Sequence, residues 1–223
     1  MNKFCKALIF PAFMLYGLLI SIQASAQSFK KGSLLISISE GSTDANYTTT
    51  YSEGGTDVLH TAHIGGARDP LTMEYGLTNH WGIGLNMGGD IYSVDPSKFY
   101  DFQTMTNKVK AITSELTLDA NYHFFVNRHW DLSTVASLGF SSVSFKGNDG
   151  DLHYQYNAGG LLVRTGAKAK YYITKRFGVM GMLSAFATQC GTDGVKGNTV
   201  GNNYTTNITG RALEFGLCYR ILR

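Results

Sequence analysis

The sequence is poor in charge, proline and cysteine, and beyond its first two dozen residues it has no long hydrophobic run. Charged residues make up 16% of the 223, with 19 Lys and Arg against 16 Asp and Glu. No basic run is present to track a phosphate backbone, so nucleic acid is not an expected partner. Three cysteines are too few for a disulfide scaffold, and 26 glycines without a period of three exclude collagen. A 13% share of aromatics with a net charge of only +3 excludes a disordered chain. After residue 26 no stretch reaches the roughly 18 apolar residues of a membrane-spanning helix. What remains is many short apolar segments separated by clusters of Asn, Thr, Ser and Gly, the pattern of a strand-rich domain.

The first residues have a different character. Lys3 and Lys6 form a basic start, Ala7 to Ile22 is almost wholly apolar, and Ala24-Ser25-Ala26 supplies a small-residue cleavage pattern. Residues 1–26 are therefore expected to be a cleaved secretory signal peptide, leaving one domain over 27–223. Cys5 lies in the basic region and not after the apolar run, so no lipid anchor is expected. Loss of Lys3 and Lys6 brings the mature chain close to neutrality.

Period-two alternation then recurs along the chain. Leu213, Phe215, Leu217, Tyr219 and Ile221 fall on one face of a strand, with Ala212, Glu214, Gly216, Cys218 and Arg220 on the other. Leu116, Leu118, Ala120, Tyr122 and Phe124 oppose Glu115, Thr117, Asp119, Asn121 and His123 in the same way. Trp81 to Gly88 and Leu71 to Leu77 repeat the pattern, and further strands are expected near Ser33–Glu40, Trp130–Phe145, Asn157–Ile173 and Phe177–Ala187, eight in all. Three joins are short and alike: Thr78-Asn79-His80 before Trp81, Asn127-Arg128-His129 before Trp130, and Thr174-Lys175-Arg176 before Phe177. The other connections, about Gly41–Pro70, Ser93–Asn107, Lys146–Tyr156 and Thr188–Thr206, are expected to be long polar loops.

Short turns at one end and long connections at the other predict an all-β, eight-stranded antiparallel up-and-down transmembrane β-barrel. A soluble barrel of the lipocalin kind would place the apolar face inside. Against it stand the charges of the opposite face, Glu74, Glu115, Asp119 and Glu214 with Arg164, Lys168, Lys170 and Arg220, which suit a lumen where they pair. Trp81, Trp130, Phe177 and Tyr219 lie at the turn-proximal edge of the apolar face, as an interfacial aromatic girdle would.

On these features the whole mature chain resembles the small eight-stranded outer-membrane barrels of Gram-negative bacteria, the OmpA and OmpX type, a porin-like outer-membrane fold. The resemblance implies secretion to the periplasm, insertion into outer-membrane lipid by the barrel-assembly machinery, a multi-pass location in the cell outer membrane, and a monomer. Members of that family usually end on an aromatic residue. This chain ends Tyr219-Arg220-Ile221-Leu222-Arg223, which leaves Tyr219 as the residue expected to take that role.

An eight-stranded barrel is only wide enough for side chains to fill it. The eight lumen charges sum to zero and are expected to pair, Lys168 and Lys170 with Glu74, Arg164 with Glu115 and Glu214. The expected function is a plugged barrel acting structurally or through surface binding and adhesion to an extracellular ligand; the alternative is a narrow porin-like conduit for small solutes. No catalytic residue, metal or cofactor is expected. His123 and Asp119 are too far apart along one strand for a dyad. A rim group of Asp57, His60, His63, Asp149, Asp151 and His153 matches no metal-ligand spacing. Cys190 and Cys218 lie out of register and are expected to stay unpaired.

Overall fold

The computed structural model describes residues 29–53, 56–95, 109–149, 152–191 and 204–222. The predicted signal peptide lies outside them. Ten strands run in chain order: β1 (Leu34–Glu53), β2 (Thr56–Arg68), β3 (Leu71–Gly76), β4 (Trp81–Gly88), β5 (Asp90–Val94), β6 (Val109–Val126), β7 (Trp130–Asp149), β8 (Leu152–Tyr172), β9 (Phe177–Gly191) and β10 (Tyr204–Leu222). Every pairing is antiparallel, and β10 pairs with β1 from Leu34↔Leu222 to Tyr51↔Tyr204, so the sheet closes on itself. Closure removes the exposed edges that a membrane cannot tolerate.

Two pairs of strands each form one stave of the wall, so the ten strands make a ring of eight. β2 and β3 are interrupted at Pro70, which has no N–H to give to a ladder. Its carbonyl still accepts from the Ser39 amide at 3.1 Å. β4 and β5 are interrupted at Gly89, whose backbone lies against the Thr113 carbonyl so closely that a Cβ would collide with it. That close approach lets the next residue, Asp90, turn inward. Neither interruption changes the side-chain phase: Arg68 and Glu74, like Asn86 and Asp90, all face the lumen.

The three short turns are built alike. Thr78 Oγ1 accepts from the amides of His80 and Trp81, Asn127 Oδ1 from those of His129 and Trp130, and Thr174 Oγ1 from those of Arg176 and Phe177. A short polar side chain at the first turn position thus satisfies two amides that the turn would leave free, as Asx and Ser/Thr turns do. The last carbonyl of each turn accepts from the neighbouring strand, from His123, Tyr172 and Arg220 in order.

Around the lower wall, apolar side chains face outward: Leu85, Leu118, Leu138, Val163, Leu183, Leu213 and Phe215 among them. Exposing this band to water would be costly, and lipid is its matching solvent. On β1 the band is short, with Ile36 and Ile38 followed by Glu40. Above the band the polarity inverts. Ala45, Tyr47, Ala62, Ile64, Tyr92, Ala111, Leu162, Phe186 and Ile208 now point inward as one apolar cluster, while Asn46, Thr48, Thr61 and His63 point out.

That inversion corrects the expected long loops. Most of Gly41–Pro70 is strand, and β1 pairs with β2 from Gly41↔Arg68 to Glu53↔Thr56. β7 and β8 likewise continue through most of Lys146–Tyr156, from Lys146↔Gln155 to Asp149↔Leu152. β9 runs on to Gly191, β10 starts at Tyr204, and β5 reaches Val94. The apolar residues of β1 switch from even positions (Ile36, Ile38) to odd ones (Ala45, Tyr47). A fixed-phase reading sees the strand end where only its solvent has changed.

Candidate functional site

The lumen holds two charge clusters at different heights. The lower one lies near the short turns. Glu74 of β3 faces His123 of β6 at 2.7 Å (Oε1 to Nε2) and accepts from Lys170 Nζ of β8 at 2.7 Å. Asp131, the second residue of β7, meets the other imidazole nitrogen at 2.6 Å and Lys170 at 3.6 Å. Two acids and two bases alternate in a ring drawn from four strands, all 3% exposed or less. Both nitrogens of His123 face carboxylates, which only accept, so the geometry fits an imidazolium that donates from each. Phe29, from the segment before β1, lies flat on the His123 ring with centroids 3.5 Å apart. The space for it comes from Gly82, where a Cβ would stand 3.2 Å from the Phe29 ring.

The upper cluster is centred on Arg68, which is wholly buried. Its guanidinium donates to Glu214 at 2.8 Å, Glu115 at 2.9 Å and Asp90 at 3.1 Å, carboxylates from three other strands. Arg164 donates to Glu115 at 2.7 Å and stands 5.6 Å from the Phe186 ring. Hydroxyls complete the shell: Thr43 and Thr113 donate to Asp90, and Ser39 to Glu214. The planar guanidinium serves several carboxylates at once, which a lysine ammonium would do less well.

The expected pairings and the observed ones differ in detail. Glu74 and Lys170 are brought together, as are Glu115 and Arg164, whereas Glu214 goes to Arg68. Lys168 does not reach Glu74 and donates to the Asn121 side chain at 3.2 Å. Asp119 accepts from Thr117 at 2.9 Å. Arg220 is the clearest correction. No carboxylate among the described residues pairs with it; it lies 4.7 Å from the centre of the Tyr172 ring and donates to the Lys175 carbonyl. It lies beside the last short turn, where its amide donates to the Arg176 carbonyl at 2.8 Å.

Sequence reasoning missed Arg68, Asp90 and Asp131, and it saw His123 only as a partner for Asp119. Arg68 fell in a stretch expected to be a loop, Asp90 between the expected strand ending at Gly88 and the expected loop beginning at Ser93, and Asp131 within the turn motif. Counting side-chain phase through Pro70 and Gly89 finds the first two.

The girdle residues Trp81, Trp130, Phe177 and Tyr219 all lie on the outer wall at the turn end. Trp81 packs on Tyr122 and Trp130 on Tyr171, each with ring centroids 4.9 Å apart, and Phe177 is paired with Tyr219. Of the rim group, His63 lies 2.5 Å from Asp44 on the exposed outer face of the first hairpin. The side chains of Asp57, His60, Asp149 and His153, and the whole of Asp151, lie outside the described residues. Cys190 and Cys218 are both free and buried.

A closed ring of eight staves, a charged interior and an apolar outer band with an aromatic edge together describe a wall that only a lipid bilayer matches. The chain has the fold of the small eight-stranded outer-membrane barrels. Solved structures agree on the fold. The outer membrane protein OprG from Pseudomonas aeruginosa superposes with a TM-score of 0.55 at 15% identity, covering 88% of this chain and 99% of that one. The outer membrane protein AlkL, determined in DMPC bilayers, gives 0.51 at 13% identity over 87% and 92% of the two chains. No family model and no curated protein matches the sequence. In barrels of this fold the apolar band faces outer-membrane lipid, the short turns face the periplasm and the longer hairpins face outside.

Proposed function

We propose that the protein is a closed barrel, secreted by way of a cleaved leader over residues 1–26, that works through its outward hairpins as a structural or adhesive surface and not as a conduit or an enzyme. The observation that supports this reading is the set of side chains that project into the lumen. A ring of four charges stands near the turns, the Arg68 cluster lies farther in, and Tyr47, Tyr92, Leu162, Phe186 and Ile208 form a buried apolar cluster in the outer half. A solute or hydrated ion passing outward would have to break ion pairs and then cross an apolar layer, both of which are costly. Above the lipid band the β1–β2 hairpin continues with polar side chains outward, a length of regular structure that strand connection alone does not require.

Refolded into a planar bilayer, with folding verified by a heat-dependent gel shift, the mature chain is expected to be electrically silent. Discrete, stable openings would replace this reading with the narrow conduit. The surface role is tested separately. Thr48 and Thr61 are paired across the first hairpin, with their hydroxyls 3.3 Å apart. Replacing residues 49–60 by an Asn-Gly turn therefore keeps the register, since that dipeptide suits a two-residue hairpin. Cells displaying the trimmed barrel are expected to adhere to bare and fibronectin-coated polystyrene no better than cells lacking the protein. Unchanged adhesion by the trimmed form would remove the hairpin from the mechanism.

A further inference from the structure

The short-turn end has an unbalanced charge that neither the lumen nor the outer hairpins explain. Lys31, His80, Arg128, Lys175 and Arg176 are exposed there, with Lys30 and His129 half-buried. The one carboxylate among the described residues of these turns and their flanks is Asp131, and it is buried in the lower ring. Among the described residues of this rim, every accessible basic or acidic side chain is thus a lysine, an arginine or a histidine.

The placement of these groups is regular. In each turn the basic residue stands one or two positions before the girdle aromatic: Arg128-His129 before Trp130, Lys175-Arg176 before Phe177, His80 before Trp81. Nδ1 of His80 is held by the His123 carbonyl at 3.0 Å, and Nδ1 of His129 by the Tyr172 carbonyl at 3.2 Å. The His129 ring also stacks on Tyr171, 5.9 Å between centroids. The second and third turns thus each set Lys or Arg side chains just beyond a girdle aromatic, and the first turn sets His80 there. Lys30 and Lys31 add a fourth position, since the Lys31 amide donates to Asn79 Oδ1 of the first turn.

We propose that this rim binds the headgroups of anionic phospholipids, of the phosphatidylglycerol class, in the leaflet that the short turns face. The cations lie at headgroup depth directly behind a lipid-facing girdle and are spread around the mouth. A binding site for a soluble polyanion would instead gather them on one side. A basic residue near an anionic bilayer surface favours association by roughly fivefold. Lys30, Lys31, Arg128, Lys175 and Arg176, with no opposing exposed acid among the described residues of the rim, are enough to enrich these lipids locally.

The protein's two tryptophans, Trp81 and Trp130, both lie in the girdle and report on this shell. The test places the refolded mature chain in phosphatidylcholine vesicles in which a fixed mole fraction of either phosphatidylglycerol or phosphatidylcholine carries brominated chains. Brominated phosphatidylglycerol is expected to quench at least about threefold more effectively than brominated phosphatidylcholine. The preference is expected to fall to parity in 1 M salt, and in a K31Q/R128Q/K175Q/R176Q variant that keeps its heat-dependent gel shift. If that variant does not fold, R128Q and the salt titration of the unaltered protein are expected to show a graded loss. Parity in the unaltered protein, or a preference that survives charge removal, overturns the proposal. Parity combined with co-sedimentation on purified peptidoglycan assigns the rim to the cell wall and overturns it equally.

Discussion

Replacing Arg68 by alanine is expected to cost the barrel about 3–5 kcal/mol, the range seen when one member of a buried ion cluster is removed. Arg68 is wholly buried and is bonded to Asp90, Glu115 and Glu214, so the change strands negative charge drawn from three other strands. Arg164 remains and holds Glu115 alone. The urea midpoint of the protein in phospholipid vesicles, with the heat-dependent gel shift as a check on the folded form, measures the loss. Arg68→Lys keeps the charge but not the fork, and an intermediate loss is expected because one ammonium cannot serve three carboxylates with the same geometry. Adding Asp90→Asn and Glu214→Gln to Arg68→Ala removes the stranded charges and is expected to restore more than half of the loss. A failure to recover would mean that the volume of the guanidinium, and not its charge, holds the lumen together at this height.

The lipid-spanning wall was legible in the sequence because lipid imposes one rule on every strand, apolar out, while the inner side is mostly polar or small, with Leu35, Val135, Met180 and Met182 as apolar exceptions. The three turns were legible for a similar reason, since Thr78, Asn127 and Thr174 each perform the same capping task and an aromatic follows each turn, Trp81, Trp130 and Phe177. The wall above the bilayer was not. There water replaces lipid, the apolar side chains move to the inside, and Ala45, Tyr47, Ala62 and Ile64 take the phase opposite to that of Ile36 and Ile38. The lower half is built as a membrane barrel and the upper half as a soluble one, on the same strands.

The lumen charges divide along the same line. Glu74, Glu115, Arg164 and Lys170 stood on strands with a clear phase, so their inward direction followed. Which of them touch depends on distances across the barrel, set by the stagger of the strands, and a single strand's alternation does not encode that. Hence Lys168 was matched to Glu74, and Arg220 to an ion pair, although Arg220 lies against Tyr172. His123 shows the limit most plainly. Its partners are neither neighbours on β6 nor on one adjacent strand, but Glu74 and Asp131 from two different strands.

That lower ring carries the second large effect. Lys170→Met leaves Glu74 and Asp131 with only His123 to balance them, and a loss of about 3–5 kcal/mol is again expected from the urea midpoint. The ring offers a sharper test than the upper cluster because it is balanced two against two. Glu74→Gln alone leaves one acid facing Lys170 and His123 and is expected to be destabilising too. Lys170→Met with Glu74→Gln removes one charge of each sign, keeps His123 paired with Asp131 at 2.6 Å, and is expected to cost less than the two single changes added together. Full additivity would mean that the four groups do not act as a ring. The charge on His123 is read independently: the imidazole nitrogen resonances of the folded protein at neutral pH are expected to show protons on both Nδ1 and Nε2. A single protonated nitrogen would leave one of the two carboxylates without its imidazole donor and would break the alternation on which the ring depends.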